Sequence, residues 1–77
     1  VTRAFVDRNL IEWEAFASTP RGGLPAPGRI VFRCLSDRDV RSRFLPVDGT
    51  RATAEARIQE LSEQELRDFV EEAGEIP

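Results

Sequence analysis

The residues of this chain best placed to act as a group are arginines. Arg29 and Arg33 lie in Arg29-Ile30-Val31-Phe32-Arg33-Cys34-Leu35, and Arg41 and Arg43 lie in Val40-Arg41-Ser42-Arg43-Phe44-Leu45. Even spacing puts both members of each pair on one side of an extended run, because side chains alternate between faces. A hairpin that sets Arg33 near Arg41 or Arg43 would gather Arg29, Arg33, Arg41 and Arg43 on one sheet face. Such a face has two uses. It can hold phosphates, with Arg38 nearby as a fifth cation, or it can border a protein contact, since Val31, Leu35 and Leu45 share it.

Catalytic groupings are harder to find. Without His, neither a Ser-His nor a Cys-His relay can be built, and an ordinary zinc site lacks its usual ligands. Glu12 and Glu14 would share a strand face as a carboxylate pair, although solvated strand acids are the commoner arrangement. Cys34 falls on the apolar side of its run, where a thiol is buried and inert. Asp37 and Asp39 resemble the start of a calcium loop but lack the remaining ligand spacing. No Gly-rich phosphate loop precedes a helix. The expectation is a domain that is not an enzyme and takes no cofactor, metal or small-molecule ligand.

Composition sets the outer bounds. The 77 residues carry a net charge of −3, one Cys and no Met. One domain of this length buries roughly 60–65% of its unfolded surface, so its core is small. A lone Cys cannot form an intramolecular disulfide. No apolar run approaches the roughly 18 residues of a membrane span, and the start lacks a signal-peptide layout. A soluble, cytoplasmic protein is expected, and with no Met in the chain Val1 is expected to be a processed or trimmed end. All eleven basic residues are Arg. Residues 1–51 hold nine Arg against six acids, and residues 52–77 hold two against eight. A basic sheet beside an acidic helix, each partly neutralising the other, accounts for that split.

The elements that must position these groups follow from pattern. Thr2–Val6 leads to the turn-forming Asp7-Arg8-Asn9. Residues 10–17 give conflicting signals. Asn9 and Glu12 have capping-box spacing, whereas Ile11, Trp13, Ala15 and Ala17 alternate with Glu12, Glu14 and Phe16. Taken as a strand, the segment closes a hairpin over 1–17 with Trp13 on the core side. Residues 18–28 contain three Pro and three Gly and form a loop. Its single Arg21-Gly22-Gly23 reads as a turn beside an Arg rather than an RNA-binding repeat. A second hairpin spans 29–47, with Ile30, Phe32 and Cys34 inward; in its second strand Val40, Ser42 and Phe44 face one way and Arg41, Arg43 and Leu45 the other. Asp48-Gly49 is a turn.

A helical segment then covers 51–74 in two pieces, broken at Ser62. There Ser62-Glu63-Gln64-Glu65 has capping-box form, and Leu61 and Leu66 suit a hydrophobic staple. Gly74 would end the second piece. Glu71, Glu72 and Glu75 lie at its unfavourable C-terminal end, at a cost of a few tenths of a kcal/mol each. The predicted fold is α+β: a small antiparallel sheet of three to four strands with a C-terminal helix packed on one face. Phe5, Trp13, Ile30, Phe32, Phe44, Leu66, Phe69 and Val70 form its core.

Phe5-Val6-Asp7, Trp13-Glu14-Ala15, Ile30-Val31-Phe32, the Arg-bearing Val40–Leu45 run and Leu61-Ser62-Glu63-Gln64-Glu65-Leu66 together resemble a group of short, uncharacterised bacterial β-meander-plus-helix domains. That pattern is an Asp-turn-Trp, a Val-Phe strand, an Arg-rich strand and a Leu-Ser-x-x-Glu-Leu helix. It implies a fold and no activity. The chain departs from it in having no Gly in the first turn. The functional expectation is a protein-interaction or accessory module, with a protein partner or a second copy as a homodimer, working through an open sheet face or edge. Nucleic-acid binding through the Arg-bearing face is the alternative, weakened by the negative net charge and by Phe16 being the lone candidate for base stacking. No membrane partner is expected.

Overall fold

The computed structural model describes residues 2–18, 28–37 and 39–75. The loop expected over 18–28, with Arg21-Gly22-Gly23, lies almost wholly outside these, as does Arg38. Element order is β1 (Thr2–Val6), β2 (Glu12–Ser18), β3 (Arg29–Cys34), β4 (Arg43–Pro46), α1 (Arg51–Glu60), α2 (Glu63–Glu72) and β5 (Gly74–Glu75). The strands form one antiparallel sheet in chain order, a meander closed by the two-residue β5 beside β4. The fold is α+β, and two helices rather than one lie across one face of the sheet.

Residues 12–18 form a strand because alternation outweighs helix propensity here. Trp13, Ala15 and Ala17 are buried while the residues between them are not, and a helix would turn Ala15 to the side opposite Trp13 and Ala17. The register places Phe5 opposite Trp13, Ala15 opposite Phe32 and Ala17 opposite Ile30. These side chains meet Ala54 and Ile58 of α1 and Leu66 and Val70 of α2 in one core. The Phe5 and Phe32 rings pack edge-on at 6.0 Å and 84°.

The break between helices falls at Ser62. Its hydroxyl accepts from the Glu65 amide at 3.1 Å, and the Glu65 carboxylate accepts from the Ser62 amide at 3.1 Å. Leu61 and Leu66 on either side are both buried, as a staple requires. Helix α1, the first of the two pieces, is ten residues long. Its own capping box, Thr50 with Thr53, is a form in which Thr replaces the usual Glu. Gly74 is not a left-handed cap. Helix α2 ends through extended Ala73 and the chain passes directly into β5.

The second strand of the β3–β4 hairpin differs most from expectation. It begins at Arg43, not Val40, and runs through Pro46. The Asp37 carboxylate accepts from the Asp39 amide at 2.9 Å and the Val40 amide reaches Asp37 O at 3.3 Å, so a turn consumes the start of the expected strand. Pro46 pairs with Arg29 at the end of the ladder, where a missing N–H is tolerated.

Candidate functional site

In an antiparallel pair, residues directly opposite each other share a face. Arg43 lies opposite Phe32, and Leu45 opposite Ile30. Both therefore belong to the helix side, and Phe44, opposite Val31, to the other. The four-arginine face does not form. Arg29 and Arg33 are on the helix-free side, Arg43 is on the helix side, and Arg41 precedes the ladder, exposed. The reason is a helix end. Arg43 Nη1 donates to Val70 O at 3.0 Å, and its guanidinium lies 5.2 Å from the Trp13 ring centroid. Val70 is in the last turn of α2, where carbonyls lack intrahelical donors and positive charge is favoured.

Two more arginines serve the backbone in the same way. Arg3 Nη1 donates to Ile58 O at 3.0 Å and to Leu61 O, closing the C-terminal end of α1. Arg67 Nε donates to Val6 O at 2.8 Å, tying α2 to the edge strand β1. Arg8 pairs with Asp68 at 3.0 Å and Glu71 at 3.6 Å, so acids near the end of α2 meet the chain's own cation. Within the described residues, much of the Arg content holds the fold together.

What remains on the helix-free face is a mixed surface in cross-strand rows. One row is Thr2, Phe16, Val31, Phe44 and Gly74; the next is Ala4, Glu14 and Arg33; a third contains Val6 and Glu12; a fourth is Ser18, Arg29 and Pro46. Val31 is only 6% exposed yet stands outside the core cluster. Its cross-strand neighbours Phe16 and Phe44 flank it, making a small second apolar group. Arg33 pairs with Glu14. The Arg29 guanidinium lies 5.3 Å from the Phe44 centroid, and its Nε is buried without a hydrogen-bond partner.

This arrangement offers little to a reaction. Glu14 is engaged by Arg33, Cys34 is buried, and Asp37 is spent on its turn. A depression of about 310 Å³ lined by Thr2, Glu14, Phe16, Ala17, Arg33, Arg51 and Glu55 holds no base–nucleophile pair. Among the described residues no group of three or more His, Cys, Asp or Glu could hold a metal ion. Nor is any described helix long and apolar enough to cross a membrane.

Sequence reasoning missed two features of this region. Phe44, expected in the core, stands on the opposite face, and the sequence shows Asp7 and Trp13 only as a pattern. Asp7 Oδ1 accepts from the Asn9 and Ile11 amides at 2.8 and 2.9 Å, and Oδ2 accepts from Trp13 Nε1 at 2.8 Å. Partial burial alone would raise this carboxyl. The bonds from Trp13, Ile11 and Asn9, with the charge of Arg43, outweigh it and hold the group below its ordinary value. Compared with family models, with curated proteins and with solved structures, the chain matches none.

Proposed function

We propose that this is a non-enzymatic protein-interaction module of the cytoplasm, and that the helix-free face of its sheet is the contact surface. The observation that carries this reading is the Phe16–Val31–Phe44 row bordered by Glu14, Arg33 and Arg29. An apolar centre with a charged border is how protein contacts are built. The nucleic-acid alternative is disfavoured by the same residues. Arg43 is turned to the helices, Arg33 is neutralised by Glu14, and Glu12 adds a further negative charge to the face.

The test is affinity capture from the source cells with the wild type and with Phe16→Glu, both shown to be folded by circular dichroism. The reading expects a protein retained by the wild type and lost by the variant. It is overturned by capture that ignores substitutions on this face. It is also overturned if the only ligand is DNA or RNA, bound with an affinity that falls steeply with salt.

A further inference from the structure

We infer that the partner of this face is a second copy of the chain, docked face to face about a two-fold axis parallel to the strands. This rests on the face being a protein-contact surface at all. The argument comes from register. Glu14 on β2 lies directly opposite Arg33 on β3, and Phe16 directly opposite Val31. A two-fold axis running between β2 and β3 and lying over the face exchanges these two strands while keeping each residue at the same height. It sets Glu14 of one copy over Arg33 of the other, and Arg33 over Glu14. By the same operation Phe16 covers Val31, Phe44 covers Thr2, and each contact occurs twice.

A surface is self-complementary under a two-fold axis only if its two halves are opposites, and few faces meet that condition by accident. Here Glu14 on the β2 half meets Arg33 on the β3 half, while Arg29 comes over the small, polar Ser18. The Glu14–Arg33 pair within each chain becomes half of a ring of four alternating charges. Sheets packed about 10 Å apart leave room for Phe16 and Phe44 to interdigitate with the opposing copy. Four strands spaced about 4.8 Å apart give a face on the order of 300 Å² per copy, below the roughly 800 Å² of a tight complex. Association is therefore concentration-dependent.

Light scattering and sedimentation over about 10 µM to about 1 mM test this. The wild type should pass from monomer toward twice the monomer mass. Glu14→Arg and Arg33→Glu should each remain monomeric, because like charges then meet across the axis. An equimolar mixture of the two should recover the dimer, since the row of residues 14 and 33 is then basic in one variant and acidic in the other. If a single variant fails to fold, the double exchange Glu14→Arg with Arg33→Glu restores both the internal pair and the reciprocal contact and should dimerise. A wild type that stays monomeric throughout, or a dimer indifferent to all these changes, overturns the inference. So do concentration-dependent amide shifts confined to the Thr2–Val6 edge and absent from Phe16 and Val31. A monomer whose Phe16→Glu variant still loses a captured protein refutes the second copy alone; a monomer without face-dependent capture refutes both readings.

Discussion

Trp13 Nε1 donates to Asp7 Oδ2 at 2.8 Å, across a turn whose other two donors, the Asn9 and Ile11 amides, converge on Oδ1. One carboxylate thus closes the first hairpin and anchors the largest core side chain. Asp7→Asn places a donor amide among these donors, and about 1–3 kcal/mol of stability should be lost. The pH dependence follows from the lowered Asp7 value. A carboxyl more acidic folded than unfolded stabilises fully above the unfolded value of about 4, and that contribution disappears as pH falls through the folded value. Urea unfolding of wild type and Asp7→Asn at neutral pH and in acid should show the difference between them shrinking in acid. A constant difference would contradict this assignment.

Leu10 takes the left-handed conformation, φ 63°, while its side chain is 84% exposed. The Leu10 amide donates to Asp7 O at 3.1 Å, so turn geometry demands the conformation and Leu suits it poorly. This is the position where a Gly would be at ease. Leu10→Gly removes the backbone strain and forfeits almost no packing. After the greater entropy of the unfolded Gly chain is subtracted, a stabilisation of about 0.5–1 kcal/mol is expected. A raised thermal midpoint checks it, and an unchanged or lowered one would show that the exposed Leu makes contacts of its own.

Alternation and capping chemistry were enough to read the meander and the helix break. Trp13, Ile30 and Phe32 can face only the core, and Ser62 with Glu65 states its own role. Strand β4 was not legible in the same way. Arg43-Phe44-Leu45 has an apolar residue on each face, so periodicity cannot decide which face is inward. The decision comes from the carbonyl of Val70, 27 positions later, and from the Trp13 ring. The self-opposing pattern of Glu14 and Arg33 is likewise hidden in the sequence, because it depends on the β2–β3 register and nothing in either strand alone sets which residues stand opposite.

That difference between two arginines once expected on the same surface is measurable. Arg43→Ala removes a charged hydrogen bond to Val70 O and a contact with Trp13, together worth about 2 kcal/mol. Arg33→Ala removes a pair whose Arg side chain is 60% exposed, worth less than about 1 kcal/mol. Arg43→Lys should recover only part of the loss, since an ammonium lacks the planar fork that lies over the indole. Equal effects of Arg33→Ala and Arg43→Ala in chemical denaturation would return Arg43 to the open face.

Gly28 marks where the second hairpin meets α1. Its amide donates to Gly49 O at 2.8 Å and its carbonyl accepts from the Val47 amide at 3.1 Å, which holds the backbone on both sides. A Cβ at this position would run into Thr50 O and would lie 2.6 Å from Thr50 C and 2.8 Å from Arg51 N. These are main-chain atoms at the N-terminus of α1, and they cannot rotate away as a side chain would. Gly28→Ala must therefore separate β3 from the helix start, at a cost of about 1–3 kcal/mol, although alanine is ordinarily the better residue in folded structure. Amide exchange should locate the damage, with protection falling first at Val47 and Ala54, whose amides donate to Gly28 O and Thr50 O. Global stability unchanged by Gly28→Ala would mean that β3 and α1 are not held as closely as this contact requires.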